Sequence, residues 1–345
     1  MRILRCGSKE QLALDAALAG AERIGRSIHK RGEATIVLAC GMSQTGMLEH
    51  LVAEDLDWGR VTAFHLDEYV GLKGNHPGSF RTFLKERFVD KVNLAKFHPI
   101  QGEKNPVTEC RRLSKLIADL PIDVAFVGIG ENGHLAFNDP PADFEAVAPY
   151  RIVKLDKDCK RQQVKEGWFG TVAQVPSKAI SMSIPQILSA ESIICTVPDK
   201  RKAEAVQAAL EGDITPWVPA SILQTHRSCH VYLDPESGAM LGPSRKPMVV
   251  KVPQLEDAPH PLVTGVSRFH LFIAGDWRKH PESDLAQFAR RVVGSGAVTV
   301  TTWGSNSFAL KLAVEAECAR RTVSGTARGG ARQVAAGHRS ASVRR

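Results

Sequence analysis

Along the first 240 residues the hydrophobic positions alternate between a helical period and short continuous apolar runs. Ser8-Lys9-Glu10-Gln11 has the form of a capping box, and Leu14, Leu18, Ala21, Ile24 and Ile28 follow at helical spacing, which predicts an amphipathic helix. Thr35 to Cys40, Val61 to Leu66 and Ile122 to Val127 are apolar runs of strand length, as expected for strands buried on both faces. Met47 to Ala53, Phe80 to Val89 and Cys110 to Leu120 predict helices between them. The second of these carries Phe80, Phe83, Leu84 and Phe88 on one side. Ala179 to Ser183, Ser192 to Val197 and Cys229 to Leu233 predict further strands, and Arg201 to Leu210 a helix ended by Gly212. Strands alternating with helices predict an α/β fold with a mostly parallel sheet and helices on both faces, Rossmann-like in layout. Ligands bind such sheets at the carboxyl ends of the strands, near a switch in strand order. The loops that follow strands are therefore where chemistry is expected.

The alternation stops near residue 240, so residues 1–240 are expected to form one domain. Residues 241–264 are rich in proline and charge and predict a linker. Residues 265–319 predict a small βαβ-like appendage, with Phe269 to Ala274 and Ala297 to Thr302 strand-like and Asp284 to Val293 helix-like. From residue 320 the chain is rich in arginine, alanine, glycine and serine without periodicity, which predicts a disordered basic tail. This tail changes the meaning of the net charge. No acidic residue follows Glu317, and setting aside Arg320, Arg321, Arg328, Arg332, Arg339, Arg344 and Arg345 lowers the net charge from +8 to +1. A near-neutral body argues against nucleic acid as the partner.

The seven cysteines, at 6, 40, 110, 159, 195, 229 and 318, form no C-x-x-C pair, and several sit in apolar runs. That usage predicts reduced core thiols and a cytoplasmic protein. The N-terminus lacks the apolar stretch of a signal peptide, and no apolar run approaches the ~20 residues that span a bilayer.

Three loops after predicted strands carry candidate chemistry. Gly41-Met42-Ser43-Gln44-Thr45 is small and hydroxylated and precedes a helix, a setting that can cradle a phosphate or serve as an ordinary turn. It is not a P-loop, because the Gly-Lys-Ser/Thr element is absent. Asp67-Glu68 follows a buried strand. Adjacent side chains there point opposite ways, so one carboxylate at most faces a given pocket. The pair reads either as a general base for a carbon acid or as a solvated, helix-capping acidic pair. Gly128 to Pro141 holds His134 in a Gly/Asn-rich loop, a poor place for a core histidine and a good one for a proton shuttle. Asp139 lies five residues on and is placed to fix the ring's tautomer. His134 and Asp139 lack partners at zinc spacing, so no metal is expected.

Together these segments resemble the glucosamine-6-phosphate deaminase / 6-phosphogluconolactonase superfamily over roughly residues 1 to 238. The resemblance rests on Asp67-Glu68-Tyr69-Val70-Gly71, His76-Pro77, Ser79-Phe80, Gly133-His134-Leu135-Ala136-Phe137-Asn138-Asp139-Pro140, Val175-Pro176, Lys202-Ala203 and Glu211-Gly212. The Asp-Glu-Tyr-Val-Gly segment favours the deaminase branch. The resemblance implies a cofactor-free isomerase/deaminase that turns D-glucosamine 6-phosphate and water into D-fructose 6-phosphate and ammonia. It implies that Asp67 moves a proton between C2 and C1, that His134 opens the sugar ring and that Asp139 orients His134. Asn132 stands where many members have aspartate. Gly41, Ser43, Gln44, Thr45 and Lys202 are implied to hold the phosphate. An arginine that many members place just before a pair of aromatics is missing, because Glu166-Gly167 precede Trp168-Phe169; Arg161 is the expected substitute. A lactonase, a deaminase for another amino-sugar phosphate and a non-catalytic sugar-phosphate sensor stay open as alternatives. The expected partner is a small sugar phosphate, with no membrane and with homo-oligomer formation possible.

Overall fold

The computed structural model describes residues 1–242, 270–274 and 299–303. The chain divides into two compact units, Met1–Gly242 and Pro243–Arg345. In the first unit the strands are β1 (Arg2–Arg5), β2 (Ala34–Leu38), β3 (Val61–His65), β4 (Asp67–Tyr69), β5 (Lys96–His98), β6 (Val124–Val127), β7 (Tyr150–Lys154), β8 (Lys178–Met182), β9 (Ser192–Val197) and β10 (Cys229–Leu233). Its α-helices are α1 (Lys9–Arg31), α2 (Thr45–Leu51), α3 (Phe80–Arg87), α4 (Pro106–Ile117), α5 (Lys157–Lys165), α6 (Ile184–Leu188) and α7 (Ala203–Glu211).

Seven strands form one sheet in the order β1-β10-β9-β6-β2-β3-β5, and every neighbouring pair is parallel. This is the parallel α/β sheet that the alternation of elements predicts. From β2 the chain builds outward through β3 and β5, and from β6 in the other direction through β9 and β10. The switch point therefore lies between β2 and β6, and the loops leaving these two strands frame a crevice. The central strands β2, β6 and β9 are buried at every position, which is why they read as unbroken apolar runs.

The sequence pattern misplaces β8. It is not part of the parallel sheet but the middle strand of a separate three-stranded antiparallel sheet, β4-β8-β7. The chain crosses from one sheet to the other at Leu66, whose N–H donates to Leu38 O while its carbonyl accepts from Met182 N. Asp67 is the first residue past this crossing. β1, β4, β5 and β7 have no apolar run to announce them: they are short, or lie at an edge, or alternate.

Helix α1 begins as its capping box requires, with the Ser8 hydroxyl accepting from Gln11 N at 3.0 Å. Its buried face is not the leucine stripe. It is Leu12, Ala13, Ala16, Ala17, Gly20, Ala21 and Ile24, whereas Leu18 is exposed. Small residues win because the helix lies directly on the sheet: a Cβ at Gly20 would fall 2.4 Å from the Phe126 ring. Leu14 and Leu18 are left to the flank.

The second unit contributes β11 (His270–Ala274) and β12 (Thr299–Trp303), which pair in parallel. The helix expected at 284–293, most of the linker expected at 241–264 and the tail expected at 320–345 lie outside the described residues. Among the described residues no helix is long and apolar enough to cross a membrane.

Candidate active site

The crevice at the switch point is a cleft with about 510 Å³ of empty space, part of it open to solvent. It is lined from β2 by Ala39 to Gln44, from the β3–β4 crossing by Leu66 and Asp67, and from the β6 loop by Gly128 to Gly130 and His134. Phe80, Ala136, Phe137, Gln162, Gln163, Glu166 and Lys202 complete it. Asp67 and His134, distant in sequence, thus meet across one cleft.

Asp67 is only 5% exposed. Burial, then the charge of neighbouring Glu68, push its carboxyl up to about 8, with a hydrogen bond from the Phe137 backbone opposing. Glu68 turns the other way, as strand alternation requires. It accepts hydrogen bonds from Ser79 Oγ at 2.8 Å, Arg81 N at 2.8 Å and Phe80 N at 3.2 Å, all at the start of α3. The acidic pair therefore divides its work: Glu68 caps α3, and Asp67 faces the cleft.

His134 is 8% exposed and carries its ring beneath the backbone of Gly130. Its Nδ1 lies 3.2 Å from Asp139 Oδ1, off the line of a good hydrogen bond. Asp139 and Asn132 do not line the cleft; they stand behind the imidazole. Asn132 Nδ2 donates to Asp139 Oδ1 at 3.0 Å and to Asp156 Oδ2 at 2.8 Å, and its Oδ1 accepts from His134 N at 3.1 Å. Asp139 Oδ2 accepts from Asp156 N at 2.9 Å. Burial alone would raise the Asp139 carboxyl, but His134, Asn132 and the Asp156 N–H together hold it below the usual carboxylate range. A carboxylate behind a histidine that faces a cleft holds the ring in one orientation. An aspartate at 132 would bring a third carboxylate against Asp139 and Asp156, a repulsion that the amide avoids.

At the far end Gly41, Ser43 and Gln44 line the cleft together with Lys202. Gln44 Nε2 donates to Val127 O at 3.2 Å, tying this loop to the end of β6. Lys202 is 1% exposed, and burial lowers its ammonium to about 8, with the charge of Glu166 opposing. A buried cation beside a hydroxylated loop suits an anionic group.

Two of the residues expected to hold the phosphate are absent from the lining. Thr45 sits one residue past it, as the first residue of α2. Arg161 is a correction: its guanidinium is exposed and paired with Asp158 at 2.6 Å. It lies on the outer face of α5, because that helix turns Gln162 and Gln163 inward instead. Those two glutamines and Glu166 are the lining residues that sequence reasoning missed. No sequence signal marked them: adjacent polar residues on a polar helix read as a solvent face, yet Gln162 and Gln163 are 6% and 3% exposed. Glu166 Oε1 accepts from Gln162 Nε2 at 2.9 Å and pairs with Arg201 at 3.2 Å, while Oε2 accepts from Trp168 Nε1 at 3.1 Å. The place of the missing arginine thus holds a carboxylate.

Residues 7–232 match the family of glucosamine-6-phosphate isomerases/6-phosphogluconolactonase. The chain belongs to this family. A glucosamine-6-phosphate deaminase of Exiguobacterium sibiricum is 38% identical over 213 residues, covering 61% of this chain and 83% of the relative. One of Streptococcus pneumoniae is 36% identical over 211 residues, covering 61% of this chain and 89% of the relative. Among solved structures, a monomeric glucosamine-6-phosphate deaminase superposes with a TM-score of 0.65 at 30% identity, covering 70% of this chain and all of that one. The 6-phosphogluconolactonase of Trypanosoma brucei superposes with a TM-score of 0.59 at 16% identity, covering 70% of this chain and 98% of that one, a likeness of fold alone. The family match ends close to the end of the first unit.

Proposed function

We propose that this chain converts D-glucosamine 6-phosphate and water into D-fructose 6-phosphate and ammonia. The observation that carries the reading is the meeting of Asp67, His134 and Lys202 on one cleft at the switch point. His134 shuttles a proton from the anomeric hydroxyl to the ring oxygen, opening the ring, and Asp139 stabilises the charged imidazole between the two transfers. Ionised Asp67 takes the C2 proton and returns it at C1. The C2 amine becomes an imine, water adds to it, and ammonia leaves. Lys202 and the Gly41–Gln44 loop hold the phosphate. Similarity to deaminases at 36–38% identity, against fold-level likeness to a lactonase, supports this branch of the family. Every proposed residue lies between 41 and 202, which supports assigning the reaction to the domain over residues 1–240. Free thiols at all six described cysteines and a diffusible sugar phosphate as substrate support a cytoplasmic setting. The test is ammonia release across the hexosamine 6-phosphates, beside hydrolysis of 6-phosphogluconolactone. Ammonia from glucosamine 6-phosphate is expected; lactone hydrolysis without ammonia would overturn the reading.

Two further outcomes follow from the charges. Lys202→Met is expected to raise KM for the sugar phosphate by roughly 10–100-fold with a smaller effect on kcat, since one charged hydrogen bond contributes about 1.5–3 kcal/mol. Steady-state kinetics checks it. The pH profile of kcat/KM should be a narrow bell centred near pH 8. Asp67 must be ionised and gains that state as pH rises through about 8, whereas Lys202 must be protonated and loses that state through about 8. A flat profile from pH 6 to 9 would contradict both roles.

A further inference from the structure

Behind the cleft, His134, Asp139 and Cys159 offer an imidazole nitrogen, a carboxylate oxygen and a thiol sulfur that all lie within 4.8 Å of one another. All three residues are buried, and they come from the loop after β6, the turn beyond it and the first turn of α5. Tetrahedral zinc, with sulfur at ~2.3 Å and nitrogen or oxygen at ~2.0 Å, requires donors about 3.5 Å apart. The His134–Asp139 pair already meets that spacing, at 3.2 Å. His134 Nδ1 is enclosed and has no well-aligned hydrogen-bond partner. A thiolate, an imidazole and a carboxylate form a donor set that selects zinc and its thiophilic relatives over magnesium or calcium.

We propose that these three residues form an inhibitory site for a zinc-class divalent cation. It rests on the proposed role of His134, but the binding itself does not. The cation takes the lone pair of Nδ1, and Cys159 gives up its thiol proton to solvent. Three protein ligands leave the fourth position to water. A ring that ligates through Nδ1 carries its proton on Nε2, so it has no lone pair left to accept one from a sugar hydroxyl. The metal therefore stops the proton shuttle without entering the sugar-binding space. Cys159 has no part in the proposed reaction, so the site adds inhibition without being needed for turnover.

The test uses the full chain with metal alone. Titration with Co²⁺ should give a thiolate-to-cobalt absorption band at one equivalent, and this band needs no substrate. Zn²⁺ should inhibit ammonia release, and EDTA should restore it. Cys159→Ser, which keeps the volume and a hydrogen-bond donor, should lose the band and weaken zinc inhibition by at least about tenfold, the lower bound of what even outer ligand partners contribute. Cys159→Ala should behave alike, so one misfolded variant leaves the other to decide. A wild-type chain without the band, or a band and inhibition unchanged in both variants, overturns the proposal. A band lost in the variants, with no ammonia released by any form of the chain, would uphold the metal site and sink the deaminase reading instead.

Discussion

Asp67→Asn is expected to lower kcat by at least about a thousandfold while leaving the binding of glucosamine 6-phosphate close to that of the wild type. The amide keeps the shape and the oxygen that accepts from the Phe137 backbone, so only basicity is removed. Positioned proton transfer contributes typically ~10²–10⁴-fold per step, and here the same group both takes and returns the proton. The variant should also be the more stable protein. The folded pKa of about 8 lies above the ordinary value of 3.8, so between those values the native state holds a proton that the unfolded chain has released. Stability therefore falls as pH rises from about 4 to about 8, and the asparagine variant is free of that loss. Equal melting temperatures near pH 4 and a higher one for the variant at pH 8.5 are expected by calorimetry, with roughly 2–4 °C for each kcal/mol in a unit the size of Met1–Gly242. A variant that is less stable at pH 8.5 would show that Asp67 is not a destabilising buried acid.

Gly130→Ala should cost about a hundredfold in kcat although residue 130 carries out no chemistry. A Cβ there would fall 2.3 Å from His134 Cε1 and 2.4 Å from both ring nitrogens. The ring lies under that backbone and cannot yield without leaving the position beside Asp139. Displacing a reacting group by about 1 Å costs on the order of 10² in rate. The loop is held on both sides, with Gly130 N donating to His134 O and Gly133 N to Gly130 O, each at 3.0 Å. The steric load therefore falls on the side chain rather than on the turn. The effect should appear in kcat more than in KM, because the Lys202 end of the cleft is untouched. Unchanged kcat in a folded variant would mean that the ring has room to work elsewhere.

The buried centre of the fold was legible because β2, β3, β6, β9 and β10 are enclosed by the layers around them and so appear as apolar runs. The antiparallel sheet was not, because β4 is only three residues long and β8 reads the same in either sheet. That Asp67 and His134 stand on one cleft, with Asp139 beside the ring, was readable from residue type, loop position and family resemblance together. The wall made by α5 was not. A helix that turns glutamines inward shows no apolar stripe, and its direction is set by the Asp156 cap, which accepts from Cys159 N at 2.6 Å. With the helix so placed, Arg161 faces solvent and Glu166 stands on the cleft with Lys202, an exchange of charge that no periodicity reveals. The choice of Asn132 is likewise intelligible only in three dimensions, where its amide links two carboxylates.

The account stands most directly on a single-turnover experiment, with enzyme in excess over D-glucosamine 6-phosphate and both products measured. The wild type is predicted to yield ammonia and fructose 6-phosphate in equal amounts, and Asp67→Asn to bind the sugar phosphate and yield neither. Wild-type enzyme that binds the sugar without releasing ammonia, or an Asp67→Asn variant that releases it at the wild-type rate, would contradict the account.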